Sequence, residues 1–154
     1  MNSFLLPTQD AEHIDGYKVA AIEIIRKRIE KRKWPLYERT RNRKQMARGD
    51  NLLFYVAGKK EKSGHVIGEC RIENLKRDLR SAVFLDGDDI LNDAASSMIE
   101  LSNFKLFPNP VYLKGILKEL DCCPKNITKW GVILYGGARK ISYHDFSYIL
   151  SKSR

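Results

Sequence analysis

The sequence predicts an α+β domain: a barrel-like sheet of about five to six short, mostly antiparallel strands flanked by helices. Three observations predict it. Apolar runs of strand length recur along the chain, and two of them flank a charged, Gly-bounded stretch that reads as a hairpin loop. Helical spacing appears near both chain ends. The Gly-rich signatures of doubly wound nucleotide-binding sheets, G-x-G-x-x-G and G-x-x-x-x-G-K-[ST], are missing. With 154 residues and an ordinary apolar fraction, residues 1–154 read as a single domain with a real core.

The elements follow in order. Residues 3–6 form a short apolar run stopped by Pro7, an opening strand. From Tyr17 the apolar positions fall at Ala20, Ala21, Ile24, Ile25 and Ile29, which predicts a helix over 17–33 with one buried stripe. Asp15 can cap its start, the cations of its last turns suit a helix C-terminus, and Pro35 forbids continuation. Residues 38–48 read as a polar loop or a short helical turn, and Gly49-Asp50 as a turn into an apolar strand over 51–57. After the loop at 58–64, residues 65–73 alternate as the returning strand, with Gly68 marking a bulge or a close backbone approach. A strand is expected at 81–85, an acidic turn at 86–89 and an alternating strand over 98–107. That turn lacks the twelve-residue pattern of a calcium loop. Asn109-Pro110 reads as the start of a helix reaching Leu120. Residues 130–135 (WGVILY) read as a last apolar strand closed by Gly136-Gly137, and Ser142 with Asp145 as a capping box for a final helix through Leu150.

Charge supplies the functional lead. From Arg26 to Arg48 the chain carries eleven Lys and Arg against two acids, Glu30 and Glu38. That segment holds the whole formal net charge of +9. Trp34, Pro35 and Tyr37 sit inside it. Cations interleaved with aromatics suit a ligand with phosphates and flat rings, hence nucleic acid. Other classes recede. No apolar run approaches the roughly 20 residues that cross a bilayer, and MNSFLLPTQD has no basic leader, so a cytoplasmic protein without a membrane partner is expected. Cys70, Cys122 and Cys123 include no C-x-x-C, and His13, His65 and His144 are scattered, so no metal or organic cofactor is implied. Reduced structural thiols are expected. Gly136-Gly137-Ala138-Arg139 could seat an anion ahead of the Ser142 helix, or be only a turn.

Several segments together carry a family resemblance: Trp34-Pro35 before the basic loop, the run from Met46 through Gly49-Asp50 to Tyr55, and Gly64-His-Val-Ile-Gly68 through Ile72. Downstream, Asn109 to Leu120, Trp130-Gly131 and Gly137-Ala-Arg-Lys-Ile-Ser142 through Ile149 extend it. In order and spacing they resemble the EVE domain of the PUA-like superfamily, whose relatives include the YTH and ASCH domains. The resemblance implies a pseudo-barrel with a small aromatic pocket that takes up a modified or flipped base in DNA or RNA, as a reader and not a catalyst.

The residue reading agrees with such a pocket. A planar base needs aromatic walls and a few directed donors and acceptors for its edge. Trp34, Tyr37, Tyr55 and Trp130 are the candidate walls, with a core role as the alternative for Trp34, Tyr55 and Trp130, and Asn103 is the candidate edge contact. Arg32, Lys33, Arg39, Arg41, Arg43, Lys44, Arg48 and Arg139 are the candidate phosphate contacts. Two rival classes stay open. One is an ASCH-like hydrolase or ribonuclease, for which Lys44, Thr40 and Glu69 would have to converge. The other is a protein-interaction module of a defence or toxin–antitoxin locus. DNA against RNA, the base modification and the oligomeric state also stay open.

Overall fold

Strand β1 (Ser3–Thr8) lies deep in the sheet because it is apolar on both faces. It pairs in parallel with β5 (Asn51–Val56) and antiparallel with β9 (Arg139–Ile141). The computed structural model describes residues 1–13, 15–77 and 95–154, so the strand expected at 81–85 and the turn at 86–89 lie outside the described residues. Strand β6 (His65–Lys76) returns from β5 through the expected hairpin. Twelve residues let β6 serve two further partners. Its first half pairs with β8 (Lys105–Tyr112), and its last residues pair with β7 (Ala95–Leu101). Strand β4 (Lys33–Tyr37) closes the other side of β7. The sheet order is β4-β7-β6-β5-β1-β9, with β8 on β6. Only the β1–β5 pairing is parallel among the described residues. Register shifts within β6 curl the sheet. One falls beside Gly68, where an added Cβ would lie 2.7 Å from the Lys105 carbonyl oxygen and against the Phe104 ring. The expected close approach is there.

Alternation along β1 and β5 builds two cores. Phe4, Leu6, Leu52, Phe54 and Val56 point to one side and meet Trp34, Leu36, Ile72 and Ile99. Leu5, Leu53 and Tyr55 point to the other and meet Phe107, Val111, Phe146 and Ile149. The apolar run of β5 is continuous because both of its faces are buried.

Helix α1 (Ala21–Lys31) covers the first core through Ile22 and Ile25. It is shorter than the 17–33 expected. Residues 17–19 instead belong to a small hairpin of β2 (Ala11–Glu12) and β3 (Lys18–Val19), where Tyr17 stacks on His13 at 4.4 Å. Asp15 caps nothing; Asp10 Oδ1 accepts the Ala21 amide at 2.8 Å and so closes the helix start from another segment. Pro35 is not the terminator. Arg32 turns left-handed (φ 56°) and ends the helix, and Trp34-Pro35 then run extended in β4. A proline fits there because, among the described residues, β4 is the last strand on its side of the sheet.

The stretch read as one strand over 98–107 is two strands, β7 and β8, with a corner at 102–104. Asn109-Pro110 belongs to β8, where pairing with β6 overrides helix-start chemistry. The helix that follows, α2 (Leu113–Ile116), is only one turn long. Residues 127–134 form 3-10 turns and no strand; only Ile133 is buried, and Asn126 caps the first turn by accepting the Thr128 amide. The closing strand is β9, and α3 (Tyr143–Lys152) starts on the expected cap, Ser142 Oγ accepting the Asp145 amide at 3.1 Å. Among the described residues, no helix is long and apolar enough to cross a membrane.

Candidate nucleic-acid interface

A cleft of about 300 Å³ opens where the end of β1 meets α1 and β4. Thr8 and Asp10 form one side, Ile24 and Arg28 of α1 another, and Trp34 to Tyr37 with Thr40 and Gly137 the rest. Trp34 forms the floor and is core as well, only 4% exposed. It packs on Phe54 with ring centroids 4.9 Å apart, and the buried Arg28 guanidinium lies 4.9 Å from its ring centroid. Tyr37 is half-buried at the edge and is held by a tight turn. Its amide donates to Thr40 Oγ1 at 2.8 Å, and the Thr40 amide returns to the Tyr37 carbonyl at 2.9 Å.

The basic loop beside this cleft is fixed at several points. The Arg41 amide donates to the Gly136 carbonyl at 2.7 Å, and Asn42 Nδ2 to the Ala138 carbonyl at 3.2 Å. Met46 is fully buried in the first core. Arg77 donates to the Arg43 and Met46 carbonyls and adds a cation that the linear charge run does not contain. Buried Asp50 accepts the Ala47 and Asn2 amides, both at 2.9 Å. Arg39, Arg41 and Lys44 are exposed; Arg43 is half-buried and reaches the Glu38 carbonyl.

The remaining candidates are elsewhere. Arg32 and Lys33 are exposed at the far end of β4, roughly 13 Å along the strand from Tyr37. Asn103 accepts from Arg32 Nη2 at 2.9 Å and lines a separate groove with Glu69, Arg71 and Lys105. Tyr55 belongs to the second core, on the opposite side of β5 from Trp34, and burial pushes its hydroxyl pKa up. Trp130 packs on that same core. None of the three lines the cleft: alternation sends Tyr55 to the other face of β5, Asn103 sits in the corner between β7 and β8, and Trp130 lies in the 3-10 turns. Arg48 is exposed at the Gly49 turn. Arg139 is half-buried and lowers the pKa of Cys122 against the larger upward effects of burial and Asp145, the net value being about 12.

The Gly136-Gly137 pair lets the basic loop dock. A Cβ on Gly136 would lie 2.9 Å from Arg41 Cβ. The α3 N-terminus already faces a carboxylate, since Ser142 Oγ donates to Asp121 Oδ2 at 2.7 Å. Folding also gathers Asp121, His144 and Asp145, whose potential metal-ligand atoms lie within 4.8 Å. Both oxygens of buried Asp145 are used, accepting the Asp121 and Cys122 amides. Lys44, Thr40 and Glu69 do not converge: Thr40 lines the cleft and Glu69 the separate groove.

Solved structures share this architecture. A Pseudomonas syringae protein superposes with a TM-score of 0.62 at 14% identity, covering 99% of both chains. The human THYN1 protein, solved in complex with 5-methylcytosine-containing DNA, matches at 0.59 and 11% identity, over 100% of this chain and 98% of that one. The YTH domain of Zygosaccharomyces rouxii MRB1, solved with N6-methyladenosine RNA, matches at 0.54 and 14% identity, over 99% and 87%. The fold is EVE-like, the architecture that the resemblance implies. At these identities the likeness is one of fold. No family model matches the sequence, and no curated protein does.

Within the EVE-like fold, sequence reasoning missed Thr8, Asp10, Arg28 as a cleft residue, and Arg77. Thr8 had a signal: it continues the Phe4–Leu6 face of β1 and is polar. Asp10 had none, because its partners are 11 and 49 residues away.

Proposed function

We propose that this chain is a nucleic-acid reader that takes one base, extruded from its strand, into the cleft between β1, α1 and β4. One observation carries the reading: an aromatic-lined cleft opens directly beside a cationic loop held in place by hydrogen bonds. Its volume, about 300 Å³, is at the small end of ligand pockets. Tyr37 offers a stacking surface at the edge, and Trp34 supports the floor. Arg39, Arg41, Arg43 and Lys44 meet phosphates, which position the strand without reading it. The ligands of THYN1 and of the YTH domain both carry methylated bases, which favours a modified base here too. The chain binds and does not catalyse in this reading, since the candidate hydrolytic set is split between two grooves. It acts in the cytoplasm and needs no cofactor.

The test is a titration of short oligonucleotides that differ only in one central base, modified or unmodified. The reading expects one modified strand to bind at least about tenfold tighter than its parent, stacking and edge contacts being worth about 1–3 kcal/mol. Equal affinity across a broad set of modifications would contradict it.

A further inference from the structure

The deep side of the cleft carries an unmatched polar group. Thr8 is 6% exposed, and its hydroxyl is the one buried side-chain polar atom without a hydrogen-bond partner among the described residues. Thr8 follows Phe4 and Leu6 on the same face of β1, so it points toward the first core and the Trp34 floor. A buried hydroxyl left unpaired is costly, which makes it a natural partner for something bound in the cleft. Two residues on, Asp10 lines the same cleft. Its Oδ1 accepts the Ala21 amide at 2.8 Å and its Oδ2 the Lys59 amide at 3.0 Å. A carboxylate has about four lone-pair sites, so it can take a further donor.

We propose that Thr8 and Asp10 read the edge of the bound base and select bases whose exocyclic group is an amine, the 6-aminopurines and 4-aminopyrimidines. The amine donates to the Asp10 carboxylate, and the neighbouring ring nitrogen accepts from the Thr8 hydroxyl. In hypoxanthine, guanine, uracil or thymine a carbonyl oxygen replaces the amine and sets lone pairs against the carboxylate. The Lys59 and Ala21 amides and nearby lysines hold the Asp10 carboxyl below its ordinary pKa of 3.8, so it is an acceptor at neutral pH. This inference rests on the base-reading function proposed above and adds to it the class of base.

Fluorescence polarisation with single strands of identical flanks tests it. The matched central bases are 5-methylcytosine against thymine, and adenine against hypoxanthine. The amine member of at least one pair should bind roughly ten- to hundredfold tighter, the range for a mismatched buried polar contact. Thr8→Val should lose most of that preference while melting at or above the wild-type temperature, because it removes a hydroxyl that the unliganded fold leaves unpaired. Equal affinities within both pairs, or a preference untouched by Thr8→Val, would overturn the assignment and leave Thr8 as no more than a buried water site. Absence of measurable binding to any strand would overturn the reader itself, an outcome distinct from binding that is blind to the amine.

Discussion

In the proposed site Trp34 and Tyr37 divide the work of the aromatic wall. Trp34 is enclosed by Phe54 and Arg28, so Trp34→Ala should cost about 3–5 kcal/mol of stability, the range for a large core aromatic. Tyr37 is half-buried at the cleft edge. Tyr37→Ala should therefore keep the fold and remove about 1–3 kcal/mol of base stacking. Thermal melting beside an affinity titration separates the two, and a reversed pattern would exchange their roles. Asp10 offers a second test at this scale. Its folded pKa is below the ordinary 3.8, chiefly through the Lys59 amide. Such a group stabilises the fold above its unfolded pKa, and the stabilisation is lost as pH falls through the folded value. The melting-temperature advantage of wild type over Asp10→Asn should be full at neutral pH and disappear as pH falls through the lowered folded pKa of Asp10; a gap that persists in strong acid would contradict the ionised role.

At the scale of elements, the Gly136 turn joins the fold to the interface. Gly136 has φ 85° and sits against Arg41. Gly136→Ala should cost about 1–2 kcal/mol for a side chain in the left-handed region. It should also weaken nucleic-acid binding by displacing the basic loop; calorimetry and titration on the same sample check both. Elements whose signals are local were legible. The β5–β6 hairpin follows from its apolar runs and Gly-bounded loop, and the α3 start from Ser142 and Asp145. Elements decided by distant partners were not. Residues 17–19 show helical spacing, yet pair with β2 across a short turn. Asn109-Pro110 has helix-start chemistry, yet the β6 ladder claims it. Residues 130–135 are apolar enough for a strand, yet β9 takes the place beside β1. The site divided in the same way. Trp34, Tyr37 and the loop cations are neighbours in sequence and in space, whereas Tyr55 lies on the wrong face of its strand by one residue of alternation, and Asp10 is joined to its partners only by folding.

For the molecule as a whole, affinity and discrimination are divided between two parts of the proposed site. In the proposed reader the cations between Arg26 and Arg48 give affinity without base information, and the cleft gives discrimination with little affinity of its own. If five or six cations meet phosphates, log affinity should fall against log salt with a slope of roughly −4 to −5. Replacing Arg39, Arg41 and Arg43 by Ala should flatten that slope and leave the ratio between modified and unmodified strands unchanged. The most direct measurement is that ratio for wild type and for Tyr37→Ala at two salt concentrations. The account predicts a wild-type ratio of about ten or more that does not depend on salt, and a ratio near one in Tyr37→Ala with the salt slope intact. A ratio that falls with salt in wild type, or survives in a folded Tyr37→Ala protein, would contradict a base-reading cleft at this place in the fold.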